Sequence, residues 1–247
     1  MDMTAARRAA GEAAAELVED GMTVGLGTGS TAQWFILGVA ARVRSGMTIR
    51  AVATSLPSER LARENGIDIS DLDARGIDLA VDGADQVDPD LRLIKGFGGA
   101  LVREKIVAAA ARRFVVVVDA SKVVERLSGR VPVELLPFGV AATLAALGQT
   151  GGMFSLREGA GGEPLRSDNG NLLGDGRFAV IDDPEGLAEL LDSHPGVIGH
   201  GMFLGMVDSV LVGESIGVRT MVAAGRGEGA TGRGTVAVRP RADSSDG

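Results

Sequence analysis

"IDLAVDGADQVDPDLRLIKGFGG", residues 77–99, joins a short apolar run to a segment rich in charge and glycine. The run at 77–81 reads as a buried strand, and Asp82 falls at its last position. A second apolar run, 91–94, ends in the same way at Lys95, beside a glycine turn. Because ligands of open α/β sheets bind beyond the carboxyl ends of the strands, this stretch predicts a ligand site.

The chain around this stretch alternates between helical and strand patterns up to about residue 120. The predicted elements are helix 4–19, strand 22–27, helix 31–44, strand 48–53, a helix near 57–65, strand 77–81, helix 99–112 and strand 114–118. Strands that are separated by helices pair in parallel and are covered on both faces. The sequence therefore predicts an α/β fold with a doubly wound, mainly parallel sheet.

The pattern changes near residue 131, and the chain there indicates an inserted smaller α+β domain. Its predicted elements are a proline-bounded strand at 131–137, helix 139–147, strand 152–157, helix 184–192 and strand 196–203. Strand 208–213 is predicted to return to the larger sheet. The predicted domains are 1–130 and 206–224 for the α/β catalytic domain, 131–205 for the inserted small domain, and 225–247 for a disordered tail.

Composition excludes several classes of function. The 247 residues are 45% hydrophobic, which predicts a packed core, and a net charge of −8 without a basic stripe argues against a nucleic-acid partner. The absence of cysteine excludes disulfides and thiolate sites, and two histidines are too few for a histidine-rich metal site. Neither a signal sequence nor a run of about 20 apolar residues is evident, so we expect a cytoplasmic protein without a membrane partner.

A glycine cluster at residues 25–31, GLGTGST, lies between a predicted strand and a predicted helix. Backbone amides at a helix start, with the hydroxyls of Thr28, Ser30 and Thr31, suit an anion such as phosphate. No lysine follows as in a P-loop, and the third glycine comes one place early for a dinucleotide fingerprint. The alternative is a tight turn with a Ser or Thr cap and no ligand.

The charged residues of the opening stretch have two interpretations each. Asp85, Asp88 and Asp90 are typical of turns, and this role suffices for Asp88 and Asp90. Asp82 and Lys95, at neighbouring strand ends, could move protons or polarise an oxygen together. The alternative for these two is a surface ion pair, which would contribute little.

Glu104 and Lys122 are predicted near the same edge of the sheet. Glu104 lies early in the helix that follows Gly99, where the helix dipole favours the carboxylate form. It could therefore act as a base without a lysine beside it, although taken singly it reads as a solvated helix charge. Lys122, after strand 114–118, would supply one more cation. His194 and His200 receive no role.

Eight segments of the chain, in order and at the same spacing, resemble ribose-5-phosphate isomerase of the A type. They are VGLGTGSTA at 24–32, ATS at 53–55, VDGAD at 81–85, IKG at 94–96, REK at 103–105, DASK at 119–122, SDNGN at 167–171 and PGVIGHGMF at 195–203. The resemblance covers about residues 4–222 and implies reversible interconversion of D-ribose 5-phosphate and D-ribulose 5-phosphate. That reaction is the non-oxidative step of the pentose phosphate pathway, and the resemblance implies no metal or other cofactor.

The resemblance also implies site residues, by position. The catalytic set is Glu104, Asp82, Asp85 and Lys95. The substrate-binding set is Thr28, Gly29, Ser30, Thr31, Gly83, Ala84, Gly96, Phe97, Gly98 and Lys122. Glu104 matches the base that moves a proton between C2 and C1 through a cis-enediolate. Asp82 and Lys95 would act as proton donors toward the enediolate oxygens, and Asp85 would handle ring opening or hydroxyl protons. A homodimer or homotetramer is implied as well.

Two residues depart from the family pattern, and other functions stay open. Gln86 stands where the family usually has Glu, and Phe97 interrupts a run that is usually all glycine. Either change could alter activity or substrate choice. The alternatives are a sugar-phosphate-binding sensor, a variant isomerase with an altered substrate, and an enzyme of similar fold such as a CoA transferase or a sugar-phosphate deaminase.

Overall fold

The protein is described by a computed structural model that covers residues 3–222, so the predicted tail at 225–247 lies outside the described residues. The helices are α1 (Met3–Ala15), α2 (Ala32–Arg44), α3 (Leu56–Glu64), α4 (Leu101–Ala110), α5 (Val140–Leu147) and α6 (Pro184–Ser193). The strands are β1 (Thr23–Leu26), β2 (Arg50–Ala53), β3 (Ile77–Asp82), β4 (Gln86–Val87), β5 (Leu93–Ile94), β6 (Ala111–Asp119), β7 (Gly129–Leu135), β8 (Met153–Leu156), β9 (Leu172–Phe178), β10 (Val197–His200), β11 (Met202–Phe203), β12 (Ser209–Gly213) and β13 (Val218–Met221).

The main sheet of residues 3–222 has the strand order β13-β12-β6-β3-β1-β2. All neighbours pair in parallel except β13, which runs antiparallel at the edge. Successive residues of β6 face opposite layers: Val115 and Val117 pack with α1 and α2, whereas Val116 and Val118 pack with α4. Apolar side chains on both faces of a strand require cover on both faces, and the predicted doubly wound α/β fold is confirmed.

Two smaller antiparallel sheets flank the main sheet. One has the order β10-β7-β9-β8 and shares an apolar core with α5 and α6. The other has the order β11-β5-β4, so the chain between β3 and α4 forms its own short ribbon. The predicted boundaries of the inserted domain remain a prediction.

The predicted single strand 196–203 is wrong, because the chain divides at Gly201 into β10 and β11, which belong to different sheets. The Gly201 N–H donates to the Pro132 carbonyl at 2.7 Å, and the Lys95 N–H donates to the Gly201 carbonyl at 2.8 Å. A Cβ at residue 201 would lie 2.1 Å from the Lys95 carbonyl oxygen. The break therefore depends on close contacts with distant backbone.

Other boundaries differ from the sequence-based expectations. Helix 4–19 ends at Ala15, and the predicted helix 99–112 is shorter at both ends, because β6 already begins at Ala111. Strands β9 and β13 were not predicted. In β9, Gly174 and Gly176 interrupt the alternation of apolar residues that marks a strand. Among the described residues, no helix is long and apolar enough to cross a membrane.

Candidate active site

A cleft opens at the carboxyl ends of β1, β3, β5 and β6, beside the first turn of α4. Its lining residues are Thr28, Gly29, Ser30, Thr31, Gly83, Ala84, Asp85, Lys95, Gly96, Phe97, Gly98, Glu104 and Lys122. Each of these was predicted from the sequence. Asp82 is the predicted site residue that does not line the cleft, because it lies buried beneath it with 2% of its surface exposed.

The short turn between β4 and β5 brings the charged residues together. Asp88 accepts hydrogen bonds from the N–H groups of Asp90 and Arg92, at 3.0 and 2.9 Å, which confirms the predicted turn role of Asp88. Because β4 and β5 pair antiparallel across this turn, Lys95 returns to the end of β3. Lys95 thereby reaches Asp82 although 13 positions separate them in sequence.

Asp82, Lys95 and Glu104 form a buried cluster of three charges. Lys95 Nζ lies 3.1 Å from Asp82 Oδ2 and 3.4 Å from Glu104 Oε2, and it donates to the Gly83 carbonyl. All three side chains are at most 5% exposed. The surface ion pair is therefore excluded, and so is the solvated helix charge expected for Glu104. The expectation of a base without a lysine beside it is wrong as well.

Burial shifts the pKa values in this cluster. Burial raises the pKa of Glu104 to about 8, against the opposing charge of Lys95, and the nearby carboxylates of Asp82 and Asp85 add to the rise. Burial also raises the pKa of Asp82, although Lys95 opposes it. Burial by itself lowers the pKa of Lys95, but the charges of Asp82 and Glu104 outweigh it, so that pKa is raised. The cluster thus favours one positive lysine and a proton held on its carboxylates.

Asp85 lines the cleft at the end of the Asp82–Asp85 turn. Its Oδ2 accepts a hydrogen bond from the Phe97 N–H at 2.9 Å. Burial raises the pKa of Asp85, and this bond together with the charges of Lys95 and Lys122 opposes the rise. The pKa of Asp85 is therefore higher than that of an exposed aspartate.

The glycine cluster forms one wall of the cleft, at the start of α2. The Thr28 N–H donates to Asp82 Oδ1 at 2.8 Å, which joins this wall to the charged cluster. Thr28 Oγ1 lies 2.7 Å from the hydroxyls of Thr54 and Ser55. Thr31 precedes α2 but its side chain makes no capping hydrogen bond, which argues against the cap-only interpretation. Amides at a helix start beside several hydroxyls suit a phosphate group.

A comparison with known families identifies the family of the chain. Residues 50–217 match the model of the family described as ribose 5-phosphate isomerase A, or phosphoriboisomerase A. The chain belongs to the ribose-5-phosphate isomerase A family. It is therefore an isomerase that interconverts D-ribose 5-phosphate and D-ribulose 5-phosphate, a step of the pentose phosphate pathway. The family match confirms the resemblance and sets aside the sensor, the CoA transferase and the deaminase.

Individual relatives agree with this assignment. The ribose-5-phosphate isomerase A of Roseiflexus sp. strain RS-1 is 48% identical over 88% of this chain and 96% of its own length. The solved isomerase of Methanocaldococcus jannaschii superposes with a TM-score of 0.84 at 40% identity, over 88% of this chain and 98% of its own. A D-ribose-5-phosphate isomerase solved in complex with phospho-erythronic acid has a TM-score of 0.87 at 39% identity, over 90% of this chain and 100% of its own.

The two departures from the isomerase family pattern have local structural reasons. Among the described residues Leu91 is the non-glycine residue with positive φ, whereas Gly96 and Gly99 adopt φ of 94° and 86°. Phe97 thus stands where a side chain causes no backbone strain. Gln86 donates to the Ser128 carbonyl at 2.8 Å and accepts from the Ser128 N–H at 3.0 Å, a pair of bonds that a carboxylate cannot make.

The sequence reasoning missed several groups near the isomerase cleft. Ser58 joins the hydroxyls around Thr28, and Arg157 contacts the backbone of the Lys95–Gly98 loop. Lys105 lies behind the cluster, close to the buried His200. One signal was available, because the chain has only three lysines, Lys95, Lys105 and Lys122, among 25 basic residues. All three lie at or behind the cleft.

Proposed function

We propose that the chain isomerises ribose 5-phosphate through a cis-enediolate, with Glu104 moving the proton between C2 and C1. The observation that carries this proposal is the position of Glu104, which borders the cleft and lies 3.4 Å from Lys95. A carboxylate can take a proton from carbon only if something nearby stabilises the negative charge that develops on oxygen. An ammonium group at this distance supplies that stabilisation.

The raised pKa of Glu104 suits a reversible proton transfer. General acid–base catalysis is most efficient when the pKa of the group lies near the working pH. A carboxyl with a pKa of about 8 is a stronger base than an ordinary glutamate, and near that pH it is present both as the carboxylate that takes a proton and as the acid that returns one. One residue can therefore serve both directions of the isomerisation.

Lys95 donates to the developing enediolate oxygens, and Asp82 acts through Lys95. Asp82 does not line the cleft, but it contacts Lys95 at 3.1 Å and accepts hydrogen bonds from Thr28 and Gly83. These contacts support a positioning role, in which Asp82 keeps Lys95 charged and aimed at the cleft. Preorganised charge of this kind stabilises a transition state because little has to reorient during the reaction.

The remaining cleft residues bind the rest of the sugar phosphate in this proposal. The phosphate lies at the start of α2, against Thr28 to Thr31, with Lys122 as its cation. Asp85 handles ring opening and the hydroxyl protons. A related isomerase was solved in complex with phospho-erythronic acid, and a carboxylate next to a carbinol carbon shares the planar, two-oxygen shape of an enediolate, which supports the proposed intermediate. A cytoplasmic location and a homodimer or homotetramer also remain proposals.

The substitution Glu104→Gln tests the assignment of the base. It should lower kcat by about 10³-fold, since a positioned general base contributes roughly 10²–10⁴. Affinity for ribose 5-phosphate, measured by calorimetry, should change little because the phosphate contacts remain. Glu12→Gln is the matched control, because Glu12 is half-exposed on α1 in an ion pair with Arg8, outside the cleft lining. Near-normal turnover of Glu104→Gln would remove Glu104 as the base.

A further inference from the structure

Arg157, which follows β8 in the small antiparallel sheet, reaches across to the loop that lines the cleft. Its Nη1 donates to the Phe97 carbonyl at 3.0 Å, and its Nη2 lies 3.3 Å from the Gly96 carbonyl oxygen. The Arg157 side chain is only 10% exposed. Two consecutive carbonyls of the loop are thus held by one buried guanidinium, which the proposed chemistry does not use.

Asp175 on β9 fixes the orientation of that guanidinium. Arg157 Nε donates to Asp175 Oδ2 at 2.8 Å and Nη2 donates to Oδ1 at 2.7 Å, so the pair is bidentate. Asp175 is itself 9% exposed at the side chain. A bidentate arginine–carboxylate pair restricts the guanidinium to one plane, which is the plane that meets the loop carbonyls.

The opposite side of the Gly96–Phe97 peptide faces the cleft. Arg157 Nη2 lies 3.3 Å from the Gly96 carbonyl oxygen of that peptide, while its Phe97 N–H donates to Asp85 Oδ2 at 2.9 Å. The Phe97 ring lies under the guanidinium of Arg130, 3.9 Å from its central carbon, and Arg130 Nε lies 3.6 Å from Asp175. The loop is therefore held at three kinds of group: its carbonyls by Arg157, the Phe97 ring by Arg130, and the Phe97 N–H by Asp85. Both arginines contact Asp175.

We propose that Arg157 is a positioning residue for the isomerisation, which fixes the path of residues 96–98 and so presents the Phe97 N–H to Asp85. This inference rests on the proposed function, since it gives Asp85 and the loop their part in substrate handling. Without Arg157 the Phe97 carbonyl would lose the guanidinium and the Gly96 carbonyl would keep only the Gly99 N–H, at 3.0 Å, so the Gly96–Phe97 peptide could rotate away from Asp85. Small displacements of groups that position a substrate have large effects on rate.

The test compares Arg157→Ala with Arg126→Ala, in the full-length chain. Arg126 forms an exposed ion pair with Asp182 and does not line the cleft, so it is a matched loss of one guanidinium–carboxylate pair. Arg157→Ala should lower kcat by about 10–100-fold, with a smaller change in KM, because misplacement costs up to roughly 10²-fold. Arg126→Ala should stay within twofold of the parent protein. Added guanidinium ion, at a non-denaturing concentration, should restore part of the kcat of Arg157→Ala and should not raise that of Arg126→Ala.

A second readout uses pH. The Phe97 N–H opposes the rise in the pKa of Asp85, so its loss should raise that pKa. The acid limb of kcat/KM, which Glu104 sets in the parent protein, should then show a second protonation, that of Asp85. If Arg157→Ala fails to fold, Asp175→Asn, which keeps the arginine but loosens its orientation, should give the same changes at smaller size. The inference is overturned if the folded variants match Arg126→Ala in kcat and pH profile, whatever their melting temperature. Failure of the proposed base would appear separately, as retained turnover in Glu104→Gln.

Discussion

Two lysines, Lys95 buried and Lys105 half-buried, lie near the Phe203 ring and differ in what surrounds them. Lys95 Nζ is 5.4 Å from the ring centroid and Lys105 Nζ is 5.3 Å from it. Lys95 contacts two buried carboxylates and borders the cleft, whereas Lys105 lies 3.4 Å from the ring nitrogens of His200. The two ammonium groups thus share one aromatic neighbour, but Lys95 contacts carboxylates whereas Lys105 contacts an imidazole.

The pKa shifts of the two lysines run in opposite directions. Burial lowers the pKa of Lys105 to about 8, and the charge of Asp192 offsets this only in part. Burial and the charge of Lys105 lower the pKa of His200 to about 4, so His200 is neutral at pH 7 and gives Lys105 no counter-charge. Beside Lys95, the carboxylates outweigh burial and the pKa is raised. Burial alone therefore does not decide the charge of a lysine here, and its partners do.

The largest effect is expected from Lys95→Met compared with Lys105→Met. Lys95→Met leaves Asp82 and Glu104 buried without a cation, which should cost about 3–5 kcal/mol of unfolding free energy. It also removes the donor to the developing oxygens, so kcat should fall by roughly 10²–10³-fold. Lys105→Met removes a buried charge that has no close carboxylate, so stability should be unchanged or higher and activity near normal. Urea melts measure the free energy of unfolding, and turnover assays measure kcat. Equal losses in Lys95→Met and Lys105→Met would contradict the claim that their partners make the two lysines different.

A pH profile should show the base directly. Because the pKa of Glu104 is raised to about 8, the residue is protonated below that pH, and kcat/KM should fall about tenfold per pH unit on the acid side. The profile should therefore rise through neutral pH with a midpoint near 8. The profile of Lys105→Met should keep the same midpoint, because Lys105 lies behind the cluster. A flat profile between about pH 6 and 8.5 would show that no carboxyl of raised pKa limits the free enzyme.

Gln86→Glu should give the smallest effect. The added carboxylate next to Asp85 increases the negative charge near the cluster, which should move the midpoint of kcat/KM slightly upward. The Ser128 carbonyl would lose its donor, so the fold should lose about 1 kcal/mol of stability. Denaturant melts and the pH profile measure the two effects, with Arg126→Ala as a surface control. A midpoint that moves downward would mean that nearby negative charge does not set the pKa of the base.

The sequence predicted the main sheet and the position of the cleft for a physical reason. Strand and helix periods are local, so β1, β3 and α2 could be recognised from their own residues. The carboxyl ends of parallel strands meet at one edge, so Asp82, at the end of β3, could be assigned to a site there before any distance was known. Lys95 follows β5, which belongs to a small antiparallel sheet, so its contact with Asp82 depends on the turn between β4 and β5.

The properties that decide the chemistry depend on contacts between distant parts of the chain. The burial of Glu104 requires α4 to pack over Lys95, which a helix pattern does not reveal. The break at Gly201 depends on the backbone of Pro132 and Lys95, and the loop contact of Arg157 joins residues 60 positions apart. These features follow from tertiary packing, so the sequence indicated a solvated charge for Glu104, a continuous strand through Gly201 and no role for Arg157.

The most direct test of the central claim is isomerisation in D₂O, followed by NMR of the aldose and the ketose after many turnovers. Proton transfer through an enediolate by Glu104 predicts that deuterium appears at C2 of ribose 5-phosphate and at C1 of ribulose 5-phosphate, since the base exchanges its proton with solvent between passages. Glu104→Gln should show almost no incorporation in the same time. If the parent protein reaches equilibrium while both carbons retain their original hydrogen, the hydrogen is transferred without exchange with solvent, and the account of Glu104 as a solvent-exchanging base is wrong.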